Sequence, residues 1–298
     1  MESPEPVRRT SEIEEVTNLY FIHPLASRLT PFLAKMHIHP NAVSVAGMLF
    51  GILAGVSYSF YQEPRCAVAG FVLMIAWHVM DGADGQLARL THSQSQTGKV
   101  LDGICDYVTF TAVYTGLAVT LGRHYGNGIW VLVVTAGLCH AVQAAAYEVQ
   151  RQEYEVWGWG RKSKGLRAPQ APPRDARPAS LAGRLSDRLH RFYEWGQCLV
   201  AGGAVKFHQT LAAALEVQPE RAAAIRLRYR KVFAPPVRRW AVLSSNYRTL
   251  GIFVCALSQA PLYYFWFEII GFNVILVVLM FRQAARYASF LKDLESVE

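Results

Sequence analysis

The chain has 298 residues, 52% of them hydrophobic and only 17% charged, with a formal net charge of +8 and a mean hydropathy of +0.15. Soluble globular chains carry nearer a quarter charged residues, so this composition belongs with membrane proteins. It excludes a disordered chain, a collagen-like chain and a coiled coil.

Charges punctuate residues 1–39, and no signal-peptide pattern is visible there. Ser11 and Glu14 have capping-box spacing. Leu25, Leu29, Phe32 and Leu33 recur at helical intervals around Pro24. Residues 11–36 therefore predict one or two amphipathic helices lying on the cytoplasmic leaflet. A packing helix of the bundle is the alternative.

Uncharged apolar stretches follow at residues 41–60, 66–80, 107–122, 126–146, 249–267 and 269–281. A membrane-crossing helix needs about 20 residues, and the second and third stretches are short of that. They reach it if each helix continues into the polar segment between them. Six spans leave three short loops on the side opposite the termini, around Arg65, Arg123 and Leu262, and these hold two of the 30 basic residues. The positive-inside rule then places both termini and the acidic segment in the cytoplasm. The five cysteines, Cys66, Cys105, Cys139, Cys198 and Cys255, are too scattered for a disulfide framework or a zinc site.

Residues 151–246 separate the fourth and fifth spans and hold 18 Lys and Arg against 7 Asp and Glu. The first part, residues 161–180, is rich in Pro and basic residues, which predicts a mobile linker. Leu181, Leu185 and Leu189 then recur at helical spacing, and residues 221–233 read as a basic amphipathic helix. A platform on anionic lipid, each basic residue contributing about 1 kcal/mol near the surface, is favoured over RNA. The segment is tethered at the membrane, and no aromatic nucleic-acid motif accompanies it.

The expected fold is an all-α integral membrane protein: a six-transmembrane-helix bundle with an N-terminal amphipathic juxtamembrane helix and a mostly helical cytoplasmic insertion. Residues 1–39 form the cytoplasmic N-terminus, 40–150 spans one to four, 151–246 the insertion, and 247–298 spans five and six with a cytoplasmic C-terminus. No nucleic-acid partner is expected.

The chemistry is concentrated in DGADGQLARLTHSQSQTGKVLDGICD, residues 81–106. On a helix Asp81 and Asp84 are i,i+3 neighbours with Ala88 on the same face. Asp102 and Asp106 are i,i+4 neighbours with Gly98 one turn earlier. If THSQSQT turns the chain, two antiparallel helices present four carboxylates to each other. Such a group cannot stay ionised without cations, and oxygen-only ligands select Mg²⁺, Mn²⁺ or Ca²⁺ over zinc. Two such ions polarise a pyrophosphate and stabilise its leaving oxygen. Gly85, Ala88 and Gly98 leave room for a bulky ligand, and Arg89 is suited to a phosphate or to bracing the carboxylates. His78, one turn before Asp81, is a candidate brace for it, or a packed neutral histidine. Asn41 and Ser44 open the first span, where nucleotide contact and helix capping are both open.

The pattern D-x2-D-G-x2-A-R-x8-G-x3-D-x3-D resembles the signature of the CDP-alcohol phosphatidyltransferases, with every fixed position present. The resemblance implies that Asp81, Asp84, Asp102 and Asp106 bind two divalent cations, Mg²⁺ or Mn²⁺. It implies that Asp106 is also the general base, that Gly85, Ala88 and Gly98 line the cytidine pocket with Arg89 nearby, and that the chain forms a homodimer. Attack by an alcohol hydroxyl on the phosphorus beside the lipid would then expel CMP. The implied partners are CDP-diacylglycerol, membrane lipid and a small polar alcohol: inositol or inositol phosphate, glycerol phosphate, choline or serine.

An amino-alcohol phosphotransferase using CDP-choline or CDP-ethanolamine and diacylglycerol is the alternative. That group has His after the third Asp, where this chain has Gly103. A phosphorylated acceptor requires an anion site, for which Lys99, Arg151, Arg248, Arg282 and Arg286 are candidates, and a choline acceptor an aromatic cage, for which Trp157 and Trp159 are candidates. A divalent-cation transporter and an inert membrane scaffold are the readings outside enzymology.

Overall fold

The computed structural model describes residues 10–161, 204–217 and 220–295. The Pro-rich linker and the leucines at 181, 185 and 189 lie outside the described residues. The chain divides into two compact units, residues 1–138 with 245–269, and residues 139–244 with 270–298.

In the first unit a π-helical turn, Asn18–Ile22, runs into α1, His23–Lys35. Ser11 opens a short 3-10 turn, Ser11–Ile13, rather than capping an α-helix, and the Glu14 side chain instead accepts from Asn18 at 3.0 Å. The face of α1 bearing Ala26 and Leu33 is buried with Ala83 and Leu87 of the third helix. The opposite side exposes Tyr20, Phe21, Phe32 and Met36. The helix thus has a packing face as well as an apolar outward one.

Helix α2, Pro40–Tyr58, starts with Pro at its first position, where the missing N–H costs nothing. The His39 ring accepts from the Asn41 backbone at 3.2 Å. One face, Ser44, Gly47, Gly51, Gly55 and Tyr58, is buried, while Leu49, Leu53 and Val56 are exposed. Absent side chains let backbones approach closely, which is how membrane helices gain contact. A Cβ on Gly51 would collide with Thr109, and one on Gly55 with the Ala112 carbonyl. Helix α2 packs along both α3, Pro64–Leu90, and α4, Gln96–Tyr125.

Both α3 and α4 extend through the polar segment, as the spans required. Between them the chain turns at residues 91–95, and the Ser95 hydroxyl caps α4 by accepting from the Gly98 N–H at 2.9 Å. Helix α5, Ile129–Glu153, continues into a π-helical turn, Tyr154–Gly158.

Two short helices, α6, Val205–Val217, and α7, Ala222–Trp240, represent the insertion among the described residues. Phe207 of α6 stacks on Tyr287 at 4.2 Å and Tyr229 on Phe233 at 4.4 Å. The half of α7 that carries Tyr229, Phe233, Val237 and Trp240 is buried. The basic helix therefore has an aromatic packing face.

Among the described residues, five helical segments are long and apolar enough to cross a membrane: Pro40–Tyr58, Pro64–Leu90, Thr97–Tyr125, Ile129–Gly158 and Pro261–Leu294. This is a multi-pass arrangement. The apolar stretches are interrupted at Glu268, but the chain turns near Leu262, where the loop between them is expected. The turn is at Ser258–Ala260, where Gln259 adopts φ 60° and Pro261 begins the next helix. The segment before it, α8, Ser245–Leu257, has 13 residues, about 20 Å of rise. The segment after it, α9, Pro261–Trp266, passes through a π-helical turn, Phe267–Gly271, into α10, Phe272–Glu295. Glu268 sits inside this helix because its charge is met there: Oε1 accepts from Arg248 Nε at 3.2 Å and Oε2 from the Tyr264 hydroxyl at 2.8 Å.

Candidate active site

Three helices build the site. The expected two-helix arrangement of carboxylates is enlarged by α2, whose Ser44 and Gly47 line the same crevice as Trp77, Asp81, Asp84, Asp102, Cys105 and Asp106. Asp81 and Asp84 come from the last turns of α3, and Asp102 and Asp106 from the first turns of α4. One carboxylate oxygen from each of Asp81, Asp102 and Asp106 lies within 4.8 Å of the others. All three residues are half-buried.

Asp84 is the most buried of the four. Its carboxylate accepts from the Ser44 hydroxyl and from the Gly85 backbone, and Asp102 and Arg89 are near enough to act on it electrostatically. Four acidic groups with one guanidinium beside them leave an excess of like charge in a sheltered place, which is costly until a cation neutralises it. The donor set is all carboxylate oxygen, which suits a hard divalent ion. The residues present therefore fit a metal.

The expected nucleotide-contacting residues gather beside this group. The Arg89 guanidinium folds over Gly85, 3.5 Å from where a Cβ would stand. A Cβ on Gly98 would meet Ser95 Oγ at 3.1 Å and Asn41 Oδ1 at 3.3 Å, so Asn41 of α2 and Gly98 of α4 share one corner. Ala88 is half-buried on α3.

The basic candidates separate. Lys99 is exposed near the start of α4. Arg248 is fully buried in its pair with Glu268, and Tyr264 in turn bonds Tyr114 at 3.0 Å. Arg151 pairs with Glu148 at 2.8 Å, and Arg282 is exposed on α10. Trp157 stacks on His208 at 5.5 Å, and Arg230 lies 3.9 Å over the Trp159 ring, so these two rings face protein groups. His78 does not brace Asp81 through Nε2. That nitrogen meets Thr249 Oγ1 at 2.9 Å, because α8 packs on α3.

Sequence reading singled out Asn41 and Ser44 on α2 but missed the glycine face that brings this helix against the site. The signal was present as Gly47-x3-Gly51-x3-Gly55, a small-residue face in phase with Ser44.

A membrane helical bundle with a carboxylate crevice at the ends of two consecutive spans defines a class of lipid-embedded, metal-suited proteins. Residues 37–170 match the family model for CDP-alcohol phosphatidyltransferase. The chain is 28% identical over 120 residues to CDP-diacylglycerol--serine O-phosphatidyltransferase of Mycobacterium tuberculosis, covering 40% of each protein. It is 34% identical over 91 residues to archaetidylinositol phosphate synthase of Pyrococcus horikoshii, covering 30% of this chain and 46% of the relative. Cholinephosphotransferase 1 of Gallus gallus is 31% identical over 109 residues, covering 34% and 31%. The chain thus spans less than half the length of these relatives.

Proposed function

We propose that the protein transfers a phosphatidyl group from CDP-diacylglycerol to a small polar alcohol and releases CMP. The observation that carries this is the three-carboxylate group within 4.8 Å, drawn from both helices of the family motif. The names of the mycobacterial and archaeal relatives support an alcohol such as serine or an inositol phosphate as acceptor.

Asp81, Asp84, Asp102 and Asp106 would hold two divalent cations, Mg²⁺ or Mn²⁺. When bound, these supply charge that polarises the pyrophosphate and stabilises the leaving oxygen of CMP. Asp106 receives the proton of the acceptor hydroxyl as that oxygen bonds to the phosphorus beside the lipid and the bond from that phosphorus to the CMP oxygen breaks. Arg89 orients phosphate oxygens, and Gly85, Ala88, Gly98 and Asn41 form the corner that admits the cytidine. The acceptor candidates are Lys99, Arg151, Arg248 and Arg282. Lys99 is favoured for an anionic acceptor, being exposed one turn before Asp102, whereas Arg248 and Arg151 already face carboxylates.

In this reading the termini and the aspartates face the cytoplasm, α8 is a short sixth membrane segment, and the chain works as a homodimer. The basic asymmetry of the loops supports the orientation. A second reading, an amino-alcohol phosphotransferase, is favoured by the resemblance to the chicken enzyme. The deciding experiment measures CMP release with Mg²⁺ or Mn²⁺ from CDP-diacylglycerol against a panel of alcohols, and from CDP-choline with diacylglycerol. Turnover with CDP-diacylglycerol and one water-soluble alcohol is expected. Turnover only with CDP-choline would move the assignment to the second reading.

A further inference from the structure

We infer that Ser44, outside the aspartate motif, is a positioning residue for Asp84 and sets the affinity of the site for its divalent cation. This rests on reading the aspartates as cation ligands. Ser44 and Asp84 are 40 residues apart, on α2 and α3, and both are buried. The Ser44 hydroxyl carries one proton, and two acceptors are in reach: the carbonyl of Pro40 at 3.3 Å and the Asp84 carboxylate, which is the closer. Back-bonding to the carbonyl four residues earlier is the ordinary fate of a helical serine. Here the carboxylate takes the proton in preference, as a charge-assisted bond should.

The close contact is a product of the glycine face. Gly47, Gly51 and Gly55 continue the buried face that Ser44 begins. A Cβ on Gly47 would stand 3.1 Å from Met80 Cβ, and larger groups along that face would push α2 away from both neighbours. With α2 held in, the hydroxyl fixes a carboxylate that is set slightly apart from the three that converge. Asp84 has no other serine, threonine or amide side chain on it among its described partners. A fixed carboxylate binds a hard ion better than a mobile one, since less rotamer freedom is lost on coordination.

The test uses the full chain in detergent or nanodiscs and Mn²⁺ as the probe, with bound ion read by electron paramagnetic resonance. Ser44→Ala should weaken Mn²⁺ binding by about 10- to 100-fold, the usual cost of losing a partner behind a ligand. Ser44→Thr keeps the hydroxyl and should restore affinity to near the parent. In an Asp84→Asn background, Ser44→Ala should change nothing further. Parent-like Mn²⁺ affinity in Ser44→Ala overturns the inference, as does an equal loss in the Asp84→Asn background. Should Ser44→Ala lose its thermal transition, Ser44→Cys, a weak donor of similar size, must show the same loss of affinity or the inference fails. Parent-like affinity in Asp84→Asn itself would instead remove Asp84 from the cation site, a failure of the underlying reading that the other outcomes do not produce.

Discussion

The first unit holds two sheltered acidic sites within its apolar helices, and they are balanced in opposite ways. At the crevice, Asp81, Asp84, Asp102 and Asp106 stand together with Arg89 as the nearby cation. Around Glu268, one carboxylate is met by Arg248, by Tyr264 and, through Tyr264, by Tyr114, all fully or almost fully buried. The second set is complete within the chain. The first is in deficit of positive charge, and that deficit is what a cation-binding site looks like before its ion is considered. Buried charge is expensive in both places; the difference is whether the neutralising partner is part of the sequence.

This contrast can be broken by mutation. Asp106→Asn should lower CMP release by about 100- to 10,000-fold, the range for losing a general acid or base. Its thermal transition without divalent cation should be no lower than the parent's, because one of several like charges has gone. A variant that turns over normally would take the base role away from Asp106. The opposite pattern is expected at the other set. Arg248→Met leaves Glu268 buried without its cation and should cost about 3–5 kcal/mol of stability. The double variant Arg248→Met/Glu268→Leu should recover most of that loss in the same denaturation assay. If single and double variants are equally unstable, the pair is not what holds this region.

A smaller effect sharpens the boundary between the two sets. Thr249 follows Arg248 in sequence, yet its hydroxyl reaches His78 one turn before Asp81. Thr249→Val should leave the His78 nitrogen buried without its hydrogen bond and cost about 1–3 kcal/mol. CMP release per folded molecule should stay near the parent value, since this contact holds helices rather than substrate. A large fall in turnover with unchanged stability would show that α8 takes part in the chemistry.

Much of the site was legible in the sequence because its aspartates are local. Asp81 with Asp84, and Asp102 with Asp106, share helical faces by spacing alone, and the polar run between them announces the turn. The turn near Leu262 was legible too, but the partner of Glu268 was not: Arg248, 20 residues away, neutralises a carboxylate that interrupts the apolar run. Ser11 and Glu14 had capping-box spacing without the helix start that spacing implies, since Glu14 found Asn18 instead. Of the two readings of His78, the packed histidine agrees with its burial, but its partner Thr249, 171 residues away, could not be read from the sequence.

The sequence by itself determined that the chain is helical and apolar enough for a membrane, and that four aspartates stand on two helical faces around a short turn. Those features follow from hydropathy and from a period of 3.6 residues, which need no knowledge of distant partners. Only the tertiary structure decided that α2 supplies a third wall, that Ser44 reaches Asp84, and that Arg248 is spent on Glu268. Each of these depends on how closely two backbones approach, and that distance is set by glycines and buried charge meeting across the bundle rather than by any pattern along one helix.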